Sequence, residues 1–293
     1  MNDFFCVKAF SAMRGGSFYS LWPVAPVPYL ENMNSKFCGN SLDLWKYDLL
    51  TFILTNSEKL SLFYIPMITE PLPKERNMKY ITYELGIRNK PLFKLMQSEF
   101  AKKYSDINVI KSYFVNQDIH LSILNPDVCE DGSDPIFFCE ANRKDYFEQA
   151  VQHYRSLVNK TLVFVDPDVG SDVGITRRFR SNRSMYVRKQ ELIKIKSALR
   201  PGDFIGFFQH LGNSNYTIER RLIDLQTCFG SWVLFTGYAR IQAGMVFIFN
   251  DEATYIDKRK LILEYFRQYD DLKHRDKFII HEKPPQHGGF SAL

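Results

Sequence analysis

Short apolar runs alternate along this chain with segments of helical period, and that alternation constrains the fold more than any other feature. Residues 60–65, 161–165 and 204–209 are compact runs rich in β-branched and aromatic side chains, the pattern of strands buried on both faces. Between and around them, apolar residues recur at helical spacing. Leu42, Trp45, Leu49, Phe52 and Ile53 fall three or four apart, and Asn40 or Ser41 stands where a cap is wanted. Further helices are expected from Pro91 to about Tyr104 and over 143–159, 187–199, 217–228 and 257–268, and a further strand over 107–115. Residues 232–236 and 245–249 read as strands that flank Gly237-Tyr238-Ala239-Arg240 and pair antiparallel. Strand and helix in alternation with short links make βαβ units. The expected fold is α/β: a single Rossmann-like domain with about six or seven mainly parallel strands and helices on both faces. Residues 1–40, rich in Gly, Pro, Ser and aromatics, read as a loop-rich arm packed on that domain; 41–281 form the domain, and 282–293 a loose tail.

Bulk chemistry narrows the class. At 293 residues with 45% hydrophobic and 24% charged side chains, the chain can bury an ordinary core. A net charge of +5 permits a polyanionic partner without demanding one. Its five cysteines show no CxxC and no regular spacing, so neither a zinc ribbon nor a disulfide framework is expected. The first residues lack the basic start and apolar run of a secretory signal, and no segment approaches the roughly 20 apolar residues of a membrane span. A cytoplasmic protein without a membrane partner is the expectation.

The chemistry concentrates where strands end. The run 161–165 closes on Asp166-Pro167-Asp168, two carboxylates separated by a residue whose φ is fixed. In an open α/β sheet, the carboxyl ends of the parallel strands border the ligand crevice. Either aspartate suits a general base or a stabiliser of a sugar cation; the plainer role is to cap a strand-end turn. The run 204–209 ends in Gln209-His210, with Asn213 just beyond, and its end is expected on the same edge. A histidine there can donate a proton near neutral pH, or simply satisfy a loop carbonyl. No His, Asp or Glu spacing resembles a dedicated metal site, so no bound metal is expected.

Downstream lies a basic, aromatic stretch: Arg177, Arg178, Phe179, Arg180, Arg183 and Tyr186, with Arg188 and Lys189 following. Cations that neutralise phosphates, interleaved with rings that stack on bases, are how single strands and flipped nucleotides are held. Arg14 in the early arm can join them. A solvated loop is the alternative.

A third constellation carries a family likeness. Gly39-Asn40-Ser-Leu-Asp43-Leu-Trp-Lys46-Tyr47 resembles the Gly-Asn-x-x-Asp-x-x-Lys-His motif of bacterial methyltransferases that modify an adenine of large-subunit ribosomal RNA. In that family an Asp-Pro-Pro-Tyr motif ends a strand of a Rossmann-like sheet and holds the target amino group; Asp166-Pro167 is similar to it. The resemblance implies substrate-binding roles for Asn40, Asp43 and Lys46, and S-adenosylmethionine as cofactor; Gln209 and Asn213 are expected to bind substrate from their place at the end of the run 204–209. The chain departs from the family twice: Asp168 replaces the second proline, and Pro66-Met-Ile-Thr-Glu70-Pro follows the strand 60–65 where the family has its glycine-rich cofactor loop. A more distant likeness, Asp-Pro after one strand and His at the end of another, is to the uracil-DNA glycosylase superfamily.

Three functions follow as expectations. The first is a hydrolase acting on DNA or RNA, by base excision without a cofactor or by Mg²⁺-dependent strand cleavage. Here Asp166, Asp168 and His210 are catalytic, and a flipped base enters the strand-end crevice. The second is an S-adenosylmethionine-dependent adenine methyltransferase. The third is a nucleic-acid-binding protein without catalysis.

Overall fold

The computed structural model describes residues 41–67, 86–100, 107–124, 138–167, 170–173, 186–210, 215–238, 243–269 and 278–283. The expected arm at 1–40 and the tail beyond residue 283 lie outside them.

The described chain is α/β and Rossmann-like. Its elements run α1 (Ser41–Thr55), β1 (Leu60–Pro66), α2 (Lys90–Phe100), α3 (Ile107–Val115), β2 (Leu121–Ile123), α4 (Arg143–Ser156) and β3 (Lys160–Asp166). Then come β4 (Gly170–Ser171), β5 (Tyr186–Val187), α5 (Lys189–Ala198), β6 (Phe204–His210), α6 (Asn215–Phe229), β7 (Trp232–Tyr238), β8 (Ala243–Phe249), α7 (Glu252–Arg267) and β9 (Phe278–Lys283). Seven strands form one sheet in the order β2-β1-β3-β6-β8-β7-β9, and β4 pairs with β5 in a small parallel ribbon. The β2, β1, β3 and β6 strands are parallel; β8 and β9 run against the others, so the expected hairpin of 232–236 and 245–249 is antiparallel.

Strand periodicity divides the core in two. Leu62, Tyr64, Leu162, Phe164, Phe204 and Phe208 point to the face covered by α1, α2, α3 and α7. Phe63, Ile65, Val163, Val165, Ile205 and Phe207 point to the face covered by α4, α5 and α6. Apolar on both faces, the central strands needed helices on both sides. Each such side chain taken fully out of water contributes about 1.5–3 kcal/mol.

Three local expectations are corrected. Residues 107–115 form a helix, because Ile110, Tyr113 and Phe114 share one buried stripe while Lys111, Ser112 and Val115 are exposed. Val187 belongs to β5, and α5 starts only at Lys189, where the Glu191 carboxylate accepts the Arg188 amide at 2.7 Å. Glu282 and Lys283, expected in the loose tail, pair in β9 with Leu234 and Val233.

The topology has a switch point. From β1 the chain crosses to β2 on one side; from β3 it passes to β6 on the other. Helices packed on opposite faces leave a crevice there, outside the carboxyl ends of β1 and β3.

Candidate functional site at the switch point

Helix α1 delivers two charged groups to that edge. Its own placement rests on Asp48, whose carboxylate accepts the Tyr265 and Tyr269 hydroxyls at 2.8 and 2.7 Å and the Asn89 amide at 3.0 Å. Two residues earlier, Lys46 reaches into the sheet. Its ammonium lies 2.8 Å from Asp43 Oδ1 and 2.6 Å from Asp166 Oδ2. The Tyr64 hydroxyl, from β1, donates to the same Asp166 Oδ2, and Tyr47 and Tyr64 hydroxyls meet at 3.1 Å. The β1 and β3 ends are also tied by backbone, the Met67 amide donating to the Asp166 carbonyl at 3.2 Å.

Asp166, 0% exposed, is a positioned group with one open valence. Its Oδ2 carries the lysine and the tyrosine, while its Oδ1 is buried and has no hydrogen-bond partner. Burial pushes the Asp166 carboxyl above its usual range, an effect the Lys46 charge partly offsets and the Asp43 charge adds to. Burial works against the Lys46 ammonium, but Asp166 and then Asp43 hold it protonated, well above the ordinary lysine range. Burial and the adjoining Asp166 charge keep Tyr64 a neutral donor.

His210 ends β6 on the same edge as Asp166, since β3 and β6 are parallel with Val165 opposite Phe207. It also shares the α1 face. The Phe208 ring lies between them, 4.9 Å from the His210 ring in an edge-on contact and 5.8 Å from the Lys46 ammonium. His210 is half-buried.

Gln209 points to the opposite face. Its Oε1 accepts the Ser171 amide at 3.0 Å and hydroxyl at 3.2 Å, and its Nε2 donates to the His210 carbonyl at 3.0 Å. The amide thus braces the β4 ribbon against the end of β6. Gly170 is required there: its φ is +127°, and a Cβ would fall 2.4 Å from Gln209 Nε2. Tyr186 is buried in β5, where its carbonyl accepts from Arg143. Of the other residues singled out by sequence, Asn40, Asp168, Asn213, Arg14, Arg177, Arg178, Phe179, Arg180 and Arg183 lie outside the described residues.

Sequence assigns no role to Tyr64 or Phe208, and Tyr47 enters only as the last residue of the motif at 39–47. Strand alternation does place Tyr64 and Phe208 on the α1 face, but a buried aromatic reads as core until its hydroxyl is seen to meet a carboxylate.

Two cofactor questions can be asked of this geometry. No group of three His, Cys, Asp or Glu among the described residues could hold a metal ion. The residues do not fit the glycine-loop mode of S-adenosylmethionine binding. No glycine occurs between Pro66 and Leu85. The first, Gly86, is a structural turn at φ +79° whose amide donates to Tyr269 and whose missing Cβ leaves room for Leu44.

No protein-family model matches the chain, and no curated protein matches it. Among solved structures it is similar to protein LPL1258 from Legionella pneumophila str. Philadelphia 1, described by the family model DUF519. The TM-score is 0.40 at 14% identity, over 85% of this chain and 98% of that one. Among the described residues, no helix is long and apolar enough to cross a membrane.

Proposed function

We propose that the chain is an enzyme that acts on nucleic acid by hydrolysis, with a nucleobase bound at the β1/β3 switch point. One observation carries this reading: a buried carboxylate at that point is fixed on one oxygen and lacks a donor on the other. Buried polar groups are satisfied in most native structures. An acceptor left open at a ligand-binding edge matches an N–H donor brought by a ligand, as the amino or imino group of a base would be.

In this reading Asp166 recognises and Asp168 reacts. Asp166 is too buried, and too engaged with Lys46 and Tyr64, to take a proton from water. Pro167 fixes the backbone after it, and Asp168 is the carboxylate assigned to orient water or steady a sugar cation. His210 donates to the departing base. The basic stretch 177–183 supplies phosphate contacts. No step is assigned to S-adenosylmethionine.

Methyl transfer to a base amino group is the second reading. It is favoured by the meeting of Lys46 and Asp166, which brings together two sequence motifs 120 residues apart that the adenine methyltransferase likeness pairs.

Incubation with modified and unmodified DNA and RNA, followed by mass spectrometry, separates the readings. A released base supports the first; an added methyl, or S-adenosylmethionine bound by the purified protein, replaces it with the second. Asp168→Asn is expected to lower turnover by about 10²–10⁴ with affinity little changed. Undiminished turnover would remove Asp168 from the chemistry.

A further inference from the structure

Two arginines sit on the α4–α6 side of the sheet in opposite circumstances. Arg143, on α4, is fully engaged: it donates to the Tyr186 carbonyl and pairs with Glu191 through Nε and, at 2.8 Å, through Nη2. Arg221, on α6, is not. Its Nε and Nη1 are buried and neither has a hydrogen-bond partner. Arginine does not give up its proton in proteins, so this is a standing, largely buried charge with two unpaired nitrogens, and burial pulls its affinity for the proton down. Removing charge from water without pairing it costs several kcal/mol, and a residue kept at that cost fits a charged ligand.

The surroundings narrow the ligand. Tyr186, which interacts electrostatically with Arg221, lies in β5 and pairs with Gly170 of β4. That ribbon follows directly on Asp166–Asp168. Leu222, beside Arg221, shares a core cluster with Val187 of the ribbon and with Val173 just after β4. The segment joining β4 to β5 carries Arg177, Arg178, Arg180 and Arg183 and is rooted at both ends on this ribbon. Four further arginines in the sequence of that connection, beside an unpaired guanidinium whose planar fork matches phosphate, suit a doubly charged or polymeric oxyanion better than a single carboxylate.

We propose that Arg221 anchors a phosphate-binding site between α6 and the β4–β5 ribbon. The ligand is a phosphate oxyanion, either a phosphodiester or a free phosphate group. Only the phosphodiester source rests on the nucleic-acid reading above.

The test is thermal unfolding of the full chain, and ligand affinity, in sodium phosphate and with a short single-stranded oligonucleotide, against chloride at matched ionic strength. One or both ligands are expected to raise Tm. Arg221→Met should weaken binding about 10- to 100-fold, as expected for losing hydrogen bonds from a charged donor. It should leave the ligand-free Tm equal or higher, because an unpaired buried charge has been removed. Arg221→Lys, which keeps the charge and loses the planar fork, should bind with intermediate affinity and covers the case of a misfolded Met variant. A response to the oligonucleotide alone identifies a phosphodiester; a response to inorganic phosphate alone identifies a free phosphate group. No Arg221-dependent response to either ligand would overturn the site. So would a lower ligand-free Tm in Arg221→Met with ligand binding intact, which would make the arginine structural. A failed base-release assay with an Arg221-dependent phosphate response would sink the hydrolase reading and leave this site standing.

Discussion

Asp203, just before β6, meets the amino end of β3, and Asp166 closes its carboxyl end; the two ends differ in kind. Both carboxylates are almost wholly buried, at 1% and 0% exposure. At the amino end, Asp203 is closed: Oδ1 accepts the Thr161 amide at 2.6 Å, and Oδ2 accepts the Tyr154 hydroxyl at 2.5 Å and Arg200 Nε at 2.9 Å. At the carboxyl end, Asp166 crowds Lys46 and Tyr64 onto Oδ2 and leaves Oδ1 bare. Residue type and burial are the same, so neither accounts for the contrast. Position in the topology does: Asp203 faces the edge opposite the switch point, where an open acceptor would only cost stability. A complete hydrogen-bond shell marks a structural carboxylate, and an incomplete one at a ligand-binding edge marks a group with a further partner to meet.

The largest effect is expected at Lys46. Lys46→Met leaves Asp43 and Asp166 facing each other without their shared cation, and should cost about 3–5 kcal/mol in urea unfolding. A loss below 1 kcal/mol would mean that water already reaches the pair, and the contrast with Asp203 would weaken.

Asp203→Ala comes next, at about 2–3 kcal/mol, because the buried Thr161 amide and Tyr154 hydroxyl lose their acceptor. Nucleic-acid affinity of the folded variant should be unchanged. A loss of affinity would break the assignment of Asp203 to structure alone.

Asp166→Asn should cost least, about 1–2 kcal/mol, since Asn keeps an acceptor for Tyr64 and Asp43 still pairs with Lys46. Its effect on base recognition should exceed that of Asp203→Ala. The pH dependence gives a second measure. Burial raises the Asp166 carboxyl in the folded state, so the folded chain binds this proton more tightly than the unfolded chain does. Its contribution to stability is therefore full below about pH 4 and declines as pH rises through the folded value. The stability of the wild type minus that of Asp166→Asn should fall as pH rises above about 4. A difference that rises would show that Lys46 outweighs burial.

The strands at 60–65, 161–165 and 204–209 were legible because residues buried on both faces leave unbroken apolar runs. The strand expected at 107–115 was not, since its run of apolar residues fits either period and only packing chose the stripe of Ile110, Tyr113 and Phe114. β2 and the β4–β5 ribbon are too short to leave a pattern at all. At the site, Asp166, Lys46 and Asp43 stood out as residue types at motif spacing. Tyr64 did not, because a strand tyrosine reads as core. Sequence groups Gln209 with His210 at the crevice, but adjacent strand residues face opposite sides, and its amide oxygen accepts from Ser171.

The sequence by itself determined the α/β class, the order of the main strands and helices, and the residues that end β3 and β6, because hydrophobic period and turn chemistry are local. Only the tertiary structure decided that Lys46 neutralises Asp166 across 120 residues, that one oxygen of that carboxylate stays unpaired, and that Arg143 is satisfied while Arg221 is not. Pairing inside a core depends on which distant groups the strand order brings within hydrogen-bond reach, and no local pattern records that.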